Sequence, residues 1–185
     1  PTFSYVELPN IPELVLNGYF QSEKYFIDYK QEIIDLFDMS ESKLVSDYML
    51  GFRKMNVPVT AIHVRRGDYL KNPEFHPVCD MEYYTKAMSE IGESNFIFVS
   101  DDIEWVKENF KGHNIWYSNF TDEISDFKLM ASCDHNIISN SSFSWWGAYL
   151  NPNPNKVVIA PKKWFGPQGP QDTQDIIPNN WVIIG

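Results

Sequence analysis

The chain has 185 residues, of which 43% are hydrophobic, and its formal net charge is −10. This length and composition fit one domain with a sizeable core, and they exclude an intrinsically disordered chain. The acidic balance is unfavourable for general binding of nucleic acid or an anionic membrane, so an anion site must be local.

Two helices are predicted in the first third of the chain, after an irregular start. Pro9 and Pro12 interrupt residues 1–20, because proline lacks the N–H group that a regular helix or strand needs. Apolar side chains then recur at helical spacing over residues 22–38, and a second such stretch follows at 40–54. We expect a helix over each of these two ranges.

Strands and helices alternate from residue 57 onward. Apolar runs rich in β-branched and aromatic residues predict buried strands, and the amphipathic stretches between them predict helices. This alternation is typical of a parallel sheet with helices on both faces, so we expect a Rossmann-like α/β fold. The predicted strands are 59–65, 95–101, 113–118, 135–140 and 156–164, and the predicted helices are 80–91, 102–110, 122–132 and 142–150. Residues 161–180 are predicted as a loop, which closes on a short apolar end at 181–184.

Three polar clusters follow predicted strands at their carboxyl ends. Residues 65–68 (RRGD) follow the first strand, Asp101 and Asp102 follow the second, and residues 139–142 (SNSS) follow the fourth. The carboxyl ends of parallel strands share one edge of the sheet, and ligands of open α/β folds bind at that edge. We therefore expect the three clusters to form one site.

The chemistry of these clusters suits a nucleoside diphosphate. Arg65 and Arg66 carry planar guanidinium groups that match phosphate oxygens, and Gly67 leaves room for close approach to the backbone. A serine-rich turn before a helix offers hydroxyl and N–H groups to phosphate. The carboxylates of Asp101 and Asp102 suit the N–H groups of a base or the hydroxyls of a ribose.

Each cluster also has a simpler structural explanation. Arg65 and Arg66 could simply be surface cations paired with Asp68. Asp101 and Asp102 could cap the helix that follows them, and the serine-rich turn could cap its own helix. The adjacent tryptophans at 145–146 could simply anchor their helix against the sheet. The occurrence of all three clusters at one edge favours a ligand site.

Several other kinds of site are disfavoured by the sequence. Cys79 and Cys133 have no zinc-ligand spacing, and two cysteines make no disulfide framework, so we expect reduced thiols. The four histidines lack the i, i+4 spacing of a helical metal site. Neither GxGxxG nor GxxxxGK[ST] is present, which disfavours a standard dinucleotide fold or a P-loop.

Several motifs together resemble the alpha-1,2-fucosyltransferases of glycosyltransferase family eleven. The resemblance rests on the specific combination of HVRRGDY at 63–69 with SNSSFSWWGAYL at 139–150. Further matching segments are LNGYFQSEKYF (16–26), FHPVC (75–79), the tyrosine pair at 83–84 and FVSDD (98–102). The matches run in order over most of the chain.

The resemblance implies an inverting enzyme that moves L-fucose from GDP-fucose to a galactose hydroxyl of a glycan, with no metal or other cofactor. It implies a GT-B architecture and a chain that forms its C-terminal, donor-binding domain. On this reading residues 1–56 are a helical interdomain segment and 57–185 are the Rossmann-like donor domain. The donor-binding residues would be His63, Arg65, Arg66, Gly67, Asp101, Asp102, Asn140, Ser141 and Ser142, with His63 and one of the two aspartates on the guanosine and the serines on the phosphates.

The Gly-rich opening segment of full family members is missing from this sequence, so we expect a fragment that binds the donor without transferring the sugar. The sequence lacks a signal peptide and an apolar run near the ~20 residues of a membrane span. We therefore expect a cytoplasmic protein without nucleic-acid partners, and we leave open a peripheral contact with the inner membrane.

Catalysis by this site needs a group that stabilises the leaving diphosphate and a base that takes the acceptor proton. Arg65 is the expected stabiliser of the diphosphate charge. Glu74 is one candidate base, because its carboxylate follows the arginine pair in a loop on the same edge. Asp68 is the other, although it could instead be a structural ion-pair partner.

Overall fold

In the computed structural model, the described residues 3–37, 39 and 42–185 build a six-stranded, wholly parallel sheet with helices on both faces. Strands β1 to β6 span Val59–Val64, Asn95–Ser100, Ile115–Tyr117, His135–Ile137, Val158–Pro161 and Val182–Ile184. Helices α1 to α6 span Lys30–Leu36, Lys43–Arg53, Met81–Ile91, Ile103–Asn109, Glu123–Ser132 and Ser142–Tyr149. The predicted Rossmann-like α/β fold is confirmed.

The strand order is β3-β2-β1-β4-β5-β6, which is the doubly wound order of a Rossmann-like sheet. The chain builds outward from β1 to β3 on one side, then crosses over and builds from β4 to β6 on the other. The order therefore reverses between β1 and β4. A crevice opens at such a reversal beyond the carboxyl ends of the strands, and this is where ligands of these folds bind.

The central strands β1 and β2 place alternate side chains on opposite faces of the sheet, as the two-residue period of a strand requires. Ile62 and Phe98 pack with Tyr84 of α3 and Val106 of α4 in one apolar cluster. The neighbouring strand residues point to the opposite face and lie in a second cluster. Its members include Ala61, Ile97 and Val99, together with Met49 of α2 and Leu129 of α5. Burial on both faces explains why these strands are almost continuously apolar.

Helix α2 packs in the same cluster as α5, with Val45, Met49 and Phe52 buried. The segment before residue 57 therefore contributes side chains to the core of the sheet domain. These contacts do not test the boundary predicted at 56/57, which stays a prediction.

The helix predicted over residues 22–38 is wrong for its first half. Glu23–Tyr25 and Ile27–Tyr29 are two 3₁₀ turns, and α1 begins only at Lys30. Between the turns Phe26 leaves the helical region, with φ −142°, and its ring stacks on Trp146 at a centroid distance of 5.4 Å. Tertiary packing of aromatic rings, which are weak helix formers, thus decides the local structure. The predicted end at 38 and the predicted helix start at 40 lie outside the described residues.

The C-terminal part of the chain is more ordered than a loop ending in a short apolar segment. Trp164 and Ile176 are buried anchors within the long connection, and they pack beside α6. The apolar end forms β6, which pairs in parallel with β5 over Ile159 to Pro161. This strand was not predicted from the sequence, because it has only three residues and two of them are exposed, which gives no clear strand pattern.

Candidate functional site

The guanidinium group of Arg65 is held between two carboxylates just beyond β1. Its Nη2 donates to Oδ1 of Asp68 over 2.7 Å, and its Nη1 lies 3.2 Å from Oδ2 of Asp101. The ring centre of Tyr69 lies 5.4 Å from the guanidinium carbon. The Arg65 side chain is still 34% exposed, so it is oriented by the protein and remains accessible to a ligand.

Arg66 points in a different direction, toward the start of α4. Its Nε donates to Oδ2 of Asp102 over 3.0 Å, and its guanidinium carbon lies 3.8 Å from the ring centre of Trp105. Of the two suggested ion pairs with Asp68, the one from Arg65 is present, and the one from Arg66 is wrong because Arg66 pairs with Asp102. Arg66 instead makes a cation–π contact, an attraction that strengthens as water is excluded.

Asp101 joins the two arginines. Its Oδ1 accepts the backbone N–H of Arg66 over 2.9 Å, while Oδ2 faces the guanidinium of Arg65. Asp102 also serves as the N-cap of α4, accepting the N–H of Trp105 at 3.4 Å. Both acidic residues are thus engaged with the protein, as the capping alternative anticipated for one of them. Their predicted contact with a nucleoside stays a prediction.

Gly67 lies against the carboxylate of Asp101. A Cβ atom at this position would be 2.4 Å from Oδ2 of Asp101, far inside van der Waals contact. Clearance at Gly67 was expected for a ligand, but the group that occupies this space in the structure is the Asp101 side chain. Its predicted place in a donor site stays a prediction.

His63 lies under the edge of the sheet, only 4% exposed. Its Nδ1 is 2.8 Å from Oγ of Ser139, and its ring packs against Phe143 of α6. Burial, together with the nearby charge of Arg65, lowers the pKa of His63 to about 3. A neutral imidazole therefore connects β1 to the turn before α6, whereas a contact with guanosine would require this ring to become exposed.

The turn from β4 into α6 presents the start of a helix at the same edge. The Asn140 side chain donates to the carbonyl oxygens of Pro77 and Trp164, both at 2.9 Å, so it fixes three segments together. Ser141 is the N-cap residue, but its side chain makes no capping hydrogen bond, and Ser142 is exposed. The first N–H groups of a helix have no partner within it, so this turn offers donors to an anion.

The loop that carries Glu74 is held by backbone hydrogen bonds from the segment after β5. Gly166 and Gln168 donate their backbone N–H groups to the carbonyls of Phe75 and Glu74, at 2.9 and 3.0 Å. A Cβ at Gly166 would lie 2.2 Å from the Glu74 carbonyl oxygen, so only glycine permits this contact. The Glu74 side chain itself is exposed, which keeps it available to an acceptor.

Tyr69 connects the parts of the site, although the sequence analysis gave it no role. Its hydroxyl donates to the carbonyl of Asn140 over 3.1 Å, and its ring stacks on His76 at 4.6 Å. The signal that could have identified it is its position one residue after Asp68 in the same motif. Ser139 and Trp105 were also missed as partners, because their contacts depend on long-range packing.

The net charge of this cluster does not favour an anion while all of its ion pairs are closed. Two guanidinium groups face the three carboxylates of Asp68, Asp101 and Asp102, so their summed charge is negative. Asp68 is the most exposed of the three, at 67%, against 26% for Asp101. Asp68 is therefore the partner that an arriving anion would displace at least cost.

Within the described residues, no group of three or more histidine, cysteine or acidic side chains is arranged to hold a metal ion. Among the same residues, no helix has the length and apolar character needed to cross a membrane.

The strand order and the polar cluster at its reversal define a Rossmann-like α/β domain with a candidate ligand site. The model of the family "Glycosyl transferase family 11" matches residues 1–185. The chain therefore belongs to glycosyltransferase family 11, whose members have the GT-B type of fold. The resemblance inferred from the motifs is confirmed.

Curated relatives of this chain act in glycan synthesis. The chain is 38% identical over 182 residues to the O-antigen biosynthesis glycosyltransferase WbnK of Escherichia coli, covering 87% of this chain and 60% of the relative. It is 32% identical over 179 residues to an alpha-1,2-colitosyltransferase of Escherichia coli, covering 90% of this chain and 61% of the relative. A galactoside alpha-(1,2)-fucosyltransferase 1 of Bos taurus is 28% identical, covering 75% of this chain and 44% of that enzyme. The chain thus spans about 60% of the length of its bacterial relatives.

Proposed function

We propose that this chain is the donor-binding part of an inverting glycosyltransferase that moves L-fucose from GDP-fucose to a galactose hydroxyl in an alpha-1,2 linkage. The observation that carries the proposal is the orientation of Arg65. Asp68 and Asp101 hold its guanidinium at the carboxyl edge of β1, and the uncapped start of α6 follows the neighbouring parallel strand β4 at the same edge of the sheet. A fixed cation and free helix N–H groups form a suitable binding place for a diphosphate.

The proposed reaction is a direct displacement at the anomeric carbon. The acceptor oxygen forms a bond to that carbon while the bond from the carbon to the β-phosphate oxygen breaks on the opposite face. The electron pair of the broken bond leaves with GDP, and the acceptor proton passes to a base. Arg65 and the N–H groups at the start of α6 stabilise the charge that develops on the leaving diphosphate. We propose that these groups suffice without a metal or another cofactor.

Two carboxylates compete for the role of base. Glu74 is exposed and unpaired with the arginines, on a loop that Gly166 and Gln168 hold in place. Asp68 already accepts a bond from Arg65 over 2.7 Å, so its carboxylate is engaged with the cation that is proposed to hold the diphosphate. We therefore propose Glu74 as the base and Asp68 as an exchangeable partner of Arg65.

The donor sugar has a second candidate, since a relative at 32% identity is named as a colitosyltransferase. Fucose and colitose are both 6-deoxy sugars, and colitose lacks one further ring hydroxyl. A comparison of GDP-fucose and GDP-colitose under identical conditions decides which sugar is preferred. The acceptor is proposed to be a galactose-containing glycan, such as a polysaccharide or lipopolysaccharide unit.

Calorimetric titration of this chain with GDP and GDP-fucose tests the proposed site. We expect saturable binding of both ligands, and the absence of binding at millimolar GDP would overturn the proposal. A transfer assay with a galactoside then separates an enzyme from a nucleotide-sugar binding module. That assay uses the full-length protein, because the relatives extend well beyond the aligned part.

A further inference from the structure

Two pockets share a wall that is formed by Tyr19, Phe20 and Gln21. The larger pocket has a volume of about 310 Å³, which is comparable with the smaller ligand sites of proteins. The smaller pocket, of about 80 Å³, reaches Ser142 at the start of α6 and Trp164 beyond β5. Because these two residues follow parallel strands, the smaller pocket reaches the carboxyl edge of the sheet.

The ring of Tyr19 is a fixed aromatic surface with one open face. It stacks on Phe3, with ring centres 5.9 Å apart and an angle of 24° between the planes. Phe3 packs edge-on against Phe165 at 5.1 Å, and its backbone N–H donates to Asp172 over 3.1 Å. Tyr19 is nevertheless 79% exposed. The protein therefore supports this ring on one side and leaves the other side accessible.

The shared wall has a strained backbone. Phe20 has φ 49°, in the left-handed region that bulky residues rarely adopt. Such conformations persist where the surrounding structure determines them, and they concentrate at ligand-binding places. The Phe20 ring packs edge-on against Tyr25 at 5.2 Å, and the Tyr25 hydroxyl accepts the N–H of Val6 at 3.0 Å. These contacts fix the turn that carries Tyr19 and Gln21.

Gln21 gives both pockets a hydrogen-bond acceptor that lacks a partner. Its amide oxygen is shielded from solvent and makes no hydrogen bond with the described residues, and an unpaired buried acceptor is costly. A ligand hydroxyl that turns this amide toward itself would supply the missing bond. Asn17 in the larger pocket and Ser142 in the smaller one add an exposed amide and an exposed hydroxyl.

An open aromatic face beside amide and hydroxyl groups matches the surface of a pyranose sugar. The C–H groups of a pyranose ring form an apolar face that packs on an aromatic ring, whereas the hydroxyls at its rim need hydrogen-bond partners. A phosphate is a poorer match, because among the described residues neither pocket is lined by a lysine or an arginine.

We propose that Tyr19 and Gln21 form a glycan subsite, which holds a sugar unit of the acceptor other than the reacting galactose. The inference rests on the proposed glycosyltransferase function and places part of the acceptor on this chain. The reacting hydroxyl must reach the bond between sugar and diphosphate, and Arg65, the proposed diphosphate ligand, lines neither pocket. The sugar bound at Tyr19 is therefore a further unit of the same glycan.

Titration of this chain with lactose, followed by heteronuclear NMR, tests the subsite. We expect saturable shifts of the backbone signals of residues 17–25 and of the Trp146 indole signal. Tyr19→Ala should weaken lactose binding by about three- to tenfold, without a change in GDP affinity. Tyr29→Ala is the matched control, since Tyr29 is 64% exposed and lines neither pocket. Absence of these shifts in a chain that binds GDP overturns this inference alone, whereas absence of GDP binding contradicts the proposed function.

The variant Gln21→Met keeps the length of the side chain and removes the unpaired acceptor. Thermal stability should not fall, because the amide oxygen makes no bond with the described residues, but lactose binding should weaken by about three- to tenfold. Gln31→Met, at an exposed position outside both pockets, should leave lactose binding unchanged. Unchanged lactose binding in Gln21→Met would contradict the proposed hydrogen bond.

Kinetics of the full-length enzyme separate a further sugar unit from the reacting galactose. Methyl β-D-galactoside lacks the second sugar of lactose, so Tyr19→Ala should raise KM for lactose and leave KM for the monosaccharide, KM for GDP-fucose and kcat unchanged. An equal rise of KM for both acceptors would place the reacting galactose at Tyr19 and overturn the assignment. A loss of thermal stability without a change in any KM would show that this surface packs against the rest of the protein instead.

Discussion

Gly67 and Asp101 are packed so closely that a Cβ on Gly67 would lie 2.4 Å from Oδ2 of Asp101. That oxygen is the one that faces Arg65, while the other oxygen accepts the N–H of Arg66. The absence of a side chain at Gly67 is therefore a condition for the carboxylate to hold both arginines. This contact links the glycine of the motif to the orientation of its first arginine.

The first prediction concerns Gly67→Ala. The added methyl group must displace the Asp101 carboxylate, since overlap at this distance is not tolerated, and Arg65 then loses one of its two orienting partners. We expect GDP affinity to fall by about tenfold, about 1.4 kcal/mol. The loss of thermal stability should be smaller, because the atom that must move is the terminal carboxylate of the Asp101 side chain.

Gly51→Ala is the control for that substitution. Gly51 lies within α2, and a Cβ there has no neighbour within 4 Å. Alanine is favoured over glycine inside a helix by about 0.5–1 kcal/mol, so this variant should be slightly more stable with unchanged GDP binding. Unchanged GDP binding in Gly67→Ala would show that Asp101 does not orient Arg65 for a ligand.

A second prediction separates the two carboxylates that contact Arg65. Asp68→Asn removes a negative charge that a diphosphate must displace, so GDP affinity should rise by roughly two- to fivefold, within the range of an exposed ion pair. Asp101→Asn should lower GDP affinity, because it weakens the bonds that fix both arginines. Calorimetry at low and high salt measures both effects. Equal changes in the two variants would contradict the distinction.

A third prediction follows from the buried imidazole of His63, whose pKa is lowered to about 3 in the fold. Unfolding returns this pKa toward about 6.5, so the unfolded state binds a proton that the folded state does not. The free energy of unfolding is therefore unaffected by this group above about pH 6.5, and it decreases progressively as the pH falls toward 3. Each pKa unit corresponds to about 1.4 kcal/mol, so the loss is on the order of several kcal/mol.

Urea unfolding of the unmodified chain and of His63→Gln between pH 4 and 7 measures this effect. The variant should be less stable at pH 7, because the contacts with Ser139 and Phe143 change, and its stability should depend less on pH. His113→Gln is the control, since His113 is exposed, and it should retain the pH dependence of the unmodified chain. An identical pH slope in His63→Gln would show that another group is responsible.

The sequence predicted the sheet and the edge where the polar clusters meet, because apolar runs and strand–helix alternation are local signals. The connection between Asp101 and the arginine pair was not predictable in the same way. It depends on the register of β1 with β2, in which Val64 lies beside Ser100. A shift of that register would move Asp101 away from Arg65, and no pattern within either strand determines it.

The N-terminal third shows the opposite failure, in which a local pattern was misleading. Residues 22–38 have helical spacing, but Phe26 leaves the helix to stack on Trp146. The adjacent tryptophans were expected either to anchor their helix or to lie near a ligand. Both rings contact the N-terminal segment: Phe26 lies 6.5 Å from Trp145 and 5.4 Å from Trp146. Contacts between distant segments thus override the spacing.

A fourth prediction tests the shape of the cation at position 65. Arg65→Lys keeps the charge but cannot contact Asp101 and also present two parallel N–H groups to a phosphate, because an ammonium group lacks the planar fork. We expect at least about tenfold weaker GDP binding and a larger loss of turnover in the full-length enzyme. Lys71→Arg, at an exposed position after the motif, is the control. Normal donor affinity and turnover in Arg65→Lys would contradict the assigned role.

The last prediction concerns the base. In the full-length enzyme, Glu74→Gln should reduce kcat by about 10²- to 10⁴-fold, the usual contribution of a positioned base, and should remove the acidic limb of the pH–rate profile. GDP binding should be unchanged, because Glu74 does not contact the arginines that are proposed to hold the diphosphate. Glu82→Gln is the matched control, on a helix that begins after the loop. If Asp68→Asn abolishes turnover while Glu74→Gln retains a normal pH profile, the proton is taken by Asp68.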